Sequence, residues 1–292
     1  MKLLTTLFDL NQMKNLSAYV DGFLIGNDQF GTRLTKSHPI QDMQIAIKNA
    51  KFLKKEIFLI CNQMYTDDQL EAFKTFISQF DLDLISGVIV ADIGAIQLLK
   101  KLGYAHKAIY NPETLLTNSY DVNFLVDEHI YGAYIAKEIT LEDIKEIAAT
   151  KKLKLFMVGH GHLNMFYSKR QLIDNFMHFN EEENIYHNRQ DLKIIEENRK
   201  EDPYPILEDQ AGTHVFRSQV FSSLYHLDEL SPHIDYLVID SIFKDDMYAM
   251  TIAALYKERL IDEELIEDLK TSYQEVWDEG FLYKKTIYKN KG

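Results

Sequence analysis

Short apolar runs alternate along this chain with longer segments whose apolar residues recur at helical spacing, the rhythm of a parallel sheet covered by helices. Leu3–Phe8 predicts a strand, Asn11–Ala18 a short helix and Gly22–Gly26 a second strand. Pro39 stands where a helix begins, and Met43, Ala46, Ile47, Ala50 and Leu53 follow on one face. Glu56–Cys61, Gly87–Val90, His106–Ile109 and Ile130–Ile135 supply four more strands. Between them, Leu70, Phe73, Phe76 and Ile77 line one helix, Ile93–Lys101 forms the next and Asn118–Val126 a third. Thr66 with Gln69, and Thr140 with Asp143, have capping-box spacing, the second pair opening a helix over Leu141–Ala149. Leu153–Val158 is the seventh strand, and Tyr236–Asp240 is the later segment apolar enough to be an eighth.

Eight strand–helix units spell an α/β fold of the (β/α)8, TIM-barrel-like kind. Periodicity fits an open doubly wound sheet as well; the count of eight favours the barrel. The expected organisation is a single domain over 1–292, with an insertion at about 163–235 between strands seven and eight. That insertion predicts a hairpin over Tyr204–Arg217, turning at Asp209–Gly212, and a short helix around Ser222–Leu230. A C-terminal helical segment at about 246–279 carries helices Met247–Leu260 and Glu263–Trp277, the second with an acidic face.

Composition narrows the classes. The chain has 292 residues, 46% of them hydrophobic, enough for a large core, and 5 Pro and 12 Gly leave little room for linkers. No apolar run approaches the ~18 residues of a membrane helix, and Asp9 interrupts the N-terminus before a signal-peptide core forms. A cytoplasmic protein without membrane contact is therefore expected. Cys61 is the single cysteine, which excludes an internal disulfide and any all-cysteine zinc or iron–sulfur site built from this chain alone. With a formal net charge of −13, contact with nucleic acid needs a local basic patch. Candidates are Lys151, Lys152 and Lys154; Lys169 with Arg170; and Lys284, Lys285, Lys289 and Lys291, each of which alone reads first as solvated surface.

Chemistry concentrates in Lys154–Asn175, a core strand running into a segment dense with His, Tyr, Ser and Arg. His160 and His162 form no His-Glu-x-x-His pattern, and His178 and His187 carry no recognisable ligand spacing, so no metal site is expected. Ser168 lies in no G-x-S-x-G elbow and is expected to cap a helix over Lys169–Phe176, and Cys61 reads as a small buried hydrophobe. Neither a dinucleotide-binding nor a Walker glycine motif is present. Arg33, Asn111, Glu113, Asn118, Glu138, Tyr167 and Asp240 each fall at or just past the carboxyl end of a predicted strand, and on a barrel those ends converge. Arg33, Asn111, Glu113 and Asn118 are the expected ligand-binding set, with Arg33 as the fork for a carboxylate; His160, Tyr167, Ser168, Glu138 and Asp240 are the catalytic candidates. The competing reading is a hydrogen-bonded loop network.

These residues resemble a family. Phe30–Arg33 is similar to the FS-x-R of peptidase family U32, the collagenase-like proteases, and Asn111–Asn118 to its STQ-x-S-x-TN. Ala136–Ile144 resembles ARELSLEEI, and Leu155–Gln171 resembles VFVHG-x-LC-x-x-YSG-x-C, the two most specific matches. Asn164 and Gln171 occupy the positions of the two cysteines in that last motif, and no counterpart of the later cysteines appears near His187–Leu192. Asp240 and Ile242 replace the Glu and Arg of KIEGR. Those cysteines hold an iron–sulfur cluster in several members, so the resemblance implies that this chain lacks one. It further implies oxygen-independent hydroxylation of tRNA wobble uridine, with prephenate as hydroxyl source, by a cysteine-poor subunit acting with a cysteine-bearing paralogue. A true peptidase and a non-catalytic scaffold are the alternatives.

Overall fold

Eight parallel strands close on themselves, because the last of them pairs with both the first and the seventh. In chain order the barrel half comprises β1 (Lys2–Thr6), α1 (Met13–Leu16), β2 (Gly22–Gly26), α2 (Ile40–Leu53), β3 (Glu56–Cys61), α3 (Asp67–Ile77), β4 (Gly87–Val90), α4 (Ile93–Lys101), β5 (Ala108–Tyr110), α5 (Ser119–Phe124), β6 (Gly132–Tyr134) and α6 (Leu141–Thr150). Then come β7 (Lys154–Ser168), α7 (Leu172–Phe179), β8 (Lys193–Glu196), β9 (Arg199–Asp209), β10 (Gly212–Ser222), α8 (Leu227–Leu230), β11 (Tyr236–Ile239), α9 (Asp246–Glu258), α10 (Glu263–Tyr273) and β12 (Trp277–Asp278). This computed structural model describes residues 1–197 and 199–284; Lys285, Lys289 and Lys291 of the expected basic tail lie outside them. The fold is the (β/α)8 barrel that the strand count favours, with β11 as its eighth stave. No helix among the described residues is long and apolar enough to cross a membrane.

Strand alternation builds two cores. Leu4, Leu24, Phe58, Ile89, Ile109, Tyr134, Phe156, Tyr236 and Val238 point inward and fill the barrel, while alternate residues such as Phe23, Ile25, Ile57, Leu59 and Val88 lie under the helices. Phe156 and Tyr236 stack at 4.3 Å between centroids. The amino end of the barrel is plugged by the Tyr131 and Tyr236 hydroxyls, 2.5 Å apart, and by Tyr236 donating to Glu56 at 3.0 Å. Among the described residues, the open end of the barrel interior is the carboxyl end. Outside, Thr66 with Gln69 and Thr140 with Asp143 form the expected capping boxes.

Strand β7 departs from expectation. The sequence places its end at Val158, but it runs on to Ser168, leaving the barrel and pairing antiparallel with β10. Gly159 and Gly161 bend the strand rather than end it: the register with β11 shifts between Val158 and His160. Gly161 adopts φ +138°, where a Cβ would stand 2.4 Å from the Asp240 carbonyl oxygen. Ser168 caps no helix, since α7 begins three residues beyond the expected start, at Leu172, once the buried Glu208 carboxylate can accept from Ile173 and Asp174 amides at 2.7 and 3.0 Å. The hairpin turns at Asp209–Gly212 as expected, with longer strands and an added β8. The last helix stops at Tyr273 because Gln274 turns left-handed, φ 52°, freeing Trp277 and Asp278 to pair with β10.

Gly161→Ala is expected to cost ~2–4 kcal/mol through backbone strain and collision. Gly103→Ala, where φ is +84° but nothing lies within 4 Å, should cost ~1 kcal/mol. Equal losses in urea unfolding would refute the close approach as the cause.

Candidate functional site

At the carboxyl mouth, residues from five strand ends, from β7 and from the inserted hairpin surround a cavity of about 70 Å³. Arg33 follows β2, Asn62 follows β3, Asn111 and Glu113 follow β5, Lys137 follows β6 and Asp240 follows β11. Strand β7 sends His162 and Asn164 into the same space. Left-handed backbone at Arg33 (φ 54°) and Glu113 (φ 67°) turns both side chains inward. Arg33 Nη2 donates to Glu113 Oε1 at 2.7 Å, and Lys137 Nζ pairs with Glu113 Oε2. One carboxylate thus bridges two cations, and each cation keeps further N–H donors facing the cavity.

The hairpin completes this arrangement. Asp209 Oδ2 accepts from Thr32 Oγ1 at 2.6 Å and from the Arg33 amide at 3.0 Å, and its Oδ1 lies 3.3 Å from His214 Nε2. Arg33 Nη1 faces His214 Nδ1 at 3.4 Å. Because guanidinium only donates, Nδ1 accepts, the imidazole carries its proton on Nε2, and it is neutral. Burial likewise lowers the His214 pKa, and the neighbouring Arg33 adds to that against the opposing pull of Asp209. The Tyr167 ring stacks on His214 at 4.7 Å and 3°. Outside the cavity lies an open groove of about 610 Å³, lined by Ile93, Leu115, Met165 and Phe166 and sharing Arg33 and Glu113 with it.

Two carboxyls here titrate abnormally, in opposite senses. Burial raises Glu113, but Arg33 and Lys137 outweigh it and hold the group at about 2. Burial also raises Asp240, to about 6, with Glu113 adding repulsion and the Ile242 amide and Arg33 only partly offsetting it. An anion entering the cavity meets two cations, one committed carboxylate and one carboxyl that protonates readily. Such donor chemistry can accommodate a small carboxylate or similar anion.

Arg33, Asn111, Glu113, Tyr167 and Asp240 do converge. Asn111 Oδ1 accepts from the Glu113 amide at 3.3 Å and so shapes that turn. Asn118 lies apart, capping α5 by accepting from the Tyr120 and Asp121 amides. Glu138 is exposed and lines neither cavity nor groove; Lys137, its neighbour, points in instead. His160 faces away from the barrel, fully buried against Trp277, with Nε2 2.7 Å from the Tyr248 hydroxyl; burial pushes it down to about 3, so it stays neutral. Ser168 Oγ accepts from the Arg170 amide at 3.2 Å, outside the cavity. Asn62 and Lys137 escaped the sequence reading although the same strand-end rule reaches them, and His162 was weighed there only as a metal ligand. Thr32, Asp209 and His214 carry no sequence signal, since only folding brings the hairpin to the mouth.

The donor chemistry at the family's cysteine positions does not suit a thiolate-held cluster. The Asn164 amide donates to the Val215 and Phe166 carbonyls, and Gln171 Nε2 donates to Asp209 O at 2.8 Å. Cys61 is buried on the outer side of β3, its thiol pushed up by desolvation.

The molecule is thus a (β/α)8 protein, a closed parallel barrel with a charged cavity at its carboxyl mouth. The model of peptidase family U32 matches residues 9–290, and the chain belongs to that family. It is similar to tRNA hydroxylation protein P2 of Bacillus subtilis (strain 168), 24% identical over 294 residues that cover 94% of each chain. An archaeal relative also aligns: the uncharacterized protease MJ0090 of Methanocaldococcus jannaschii, 24% identical across 99% of this chain and 74% of that one. tRNA hydroxylation protein P1 of Bacillus subtilis matches over 60% of this chain and 42% of its own, at 21% identity. Among solved structures, the U32 peptidase Mk0906 superposes with a TM-score of 0.52 at 12% identity, covering 82% of this chain and 92% of that one.

Glu113 falls from an ordinary 4.5 to about 2 on folding, so its ionised form stabilises the native state. That contribution, ~3 kcal/mol, is present above about pH 5 and is lost as pH falls towards 2. Glu113→Gln should therefore lower stability at pH 7 and flatten the acid limb of the urea-midpoint profile. An unchanged acid limb would exclude Glu113 as its source.

Proposed function

We propose that this chain is the subunit without an iron–sulfur cluster in a cytoplasmic tRNA hydroxylation system that acts on wobble uridine. Prephenate is its co-substrate and a cysteine-bearing U32 paralogue its partner. The observation that carries this reading is the end-to-end similarity to the P2 protein, 94% of both chains, in a molecule whose mouth presents Arg33 and Lys137 to an anion. A carboxylate of the co-substrate takes the spare donors of these two cations. Asp240 holds or releases a proton beside it, and the groove past Phe166 leads outward to the larger substrate. The local cations Lys169 and Arg170 directly follow that groove wall and supply phosphate contacts that the average surface does not.

Direct proteolysis, the reading suggested by the family name and by the archaeal relative, fits the geometry less well. His160 pairs with the Tyr248 hydroxyl and Ser168 Oγ accepts from the Arg170 amide, with no bond between them to make a nucleophile–base pair, and the Cys61 thiol is buried and protonated. Cleavage of gelatin by purified protein, abolished by Ser168→Ala, would restore that reading.

Deleting the gene should abolish or sharply reduce 5-hydroxyuridine at the wobble position, measured by mass spectrometry of digested tRNA; an unchanged profile sinks the proposal. Complementation should fail with Arg33→Ala or Lys137→Ala and succeed with Glu138→Ala. Apparent affinity for prephenate should rise several-fold as pH drops from about 7 to about 5.5, because Asp240 loses its negative charge near 6. Asp240→Asn should remove that dependence.

A further inference from the structure

The inserted segment displays an apolar surface that neither the barrel nor the cavity uses. Leu172, Phe176 and Phe179 share one face of α7, at spacings of four and three, and Phe176 and Phe179 are 62% and 84% exposed. Ile185 and Ile195 add exposed apolar side chains in the same excursion. This is a rigidly presented helix. Met177 is buried on its other side, and Glu208, fully buried, accepts from the Ile173 and Asp174 amides, from Thr213 Oγ1 at 2.7 Å and from Asn184 Nδ2 at 3.2 Å. The Leu172 amide donates to Thr213 Oγ1 at 2.8 Å. A buried carboxylate spent on fixing the start of an eight-residue helix holds its outer face in one position.

Charge decides what covers that face. Residues 172–197 hold seven acidic and two basic side chains, and one of the two, Arg189, is paired with Asp191. Beyond Lys169 and Arg170 that excess of acidic side chains disfavours RNA phosphates, so base stacking does not explain the exposed phenylalanines. The same excess equally disfavours a second copy of a chain whose net charge is −13. We infer that Leu172, Phe176 and Phe179 form a docking site for a different protein, one presenting an apolar groove edged by Lys and Arg. Resting on the proposed function, that protein is the cysteine-bearing U32 paralogue.

The test uses the full chain purified with the co-expressed paralogue of the same genome. Size-exclusion chromatography with light scattering and titration should give a 1:1 complex that weakens as salt rises from ~0.05 to ~0.5 M. Phe176→Asp/Phe179→Asp should weaken it at least ~30-fold, while Phe52→Asp, at a comparably exposed phenylalanine on α2, leaves it unchanged. Circular dichroism of each variant establishes that it is folded. Absence of a complex, undiminished affinity in the double variant, loss of a homodimer on the same substitutions, or loss of tRNA binding with protein binding intact would each overturn the docking site. The gene deletion separates the two readings. Intact wobble 5-hydroxyuridine after deletion defeats the functional proposal, whereas its loss, with stripe variants that still bind, defeats only the docking surface.

Discussion

Strand β7 belongs to two sheets at once, and the mouth of the barrel depends on that. Its first residues are a stave between β6 and β11; its last are the partner of β10, which carries the hairpin. The change of role happens at Gly159 and Gly161, where an ordinary residue would meet Leu237 or the Asp240 carbonyl. Because the strand bends without ending, His162 and Asn164 keep their alternation and face the cavity, while His160 is left outside among α9 and Trp277. Two histidines two residues apart therefore do unrelated things.

Three charges within one small cavity are expensive to desolvate, and the structure meets that cost by sharing rather than by pairing. Glu113 gives one oxygen to Arg33 and the other to Lys137, which fixes both cations without saturating either. His214 closes the remaining side of Arg33 as a neutral acceptor, oriented by Asp209 and Thr32 and clamped by the Tyr167 ring. The mouth thus gathers two cations inside a strongly acidic protein, balanced there by Glu113 and Asp240, a local arrangement that the overall charge conceals.

Much of the barrel was legible because inward and outward apolar residues alternate cleanly and the caps at Thr66 and Thr140 are local. The site was legible wherever a polar residue directly follows a strand, as with Arg33, Asn111, Glu113 and Asp240. It failed where a one-residue difference decides direction: Glu138 and Lys137 are equally polar neighbours, and only the backbone path sends the lysine inward. Asn118 misled for a different reason, since an Asn that caps a helix looks in sequence like one that binds a ligand. Glycines at 159 and 161 read as a strand exit because bends and ends share the same residue preference.

The least legible contribution is also the one that joins the two halves of the molecule. Thr32 and Asp209 are separated by 177 positions, and Arg33 and His214 by 181. Such pairings repay their loop-closure cost only after the barrel exists. The barrel can bury its own interior without the hairpin, but Arg33 is not held in its binding geometry until Asp209 grips its amide and His214 faces its guanidinium. Anything that displaces the insertion, including a partner seated on α7, acts on the same Glu208–Asp209 stretch that caps α7 through one residue and anchors Arg33 through the next. The surface and the site share two adjacent carboxylates on one strand.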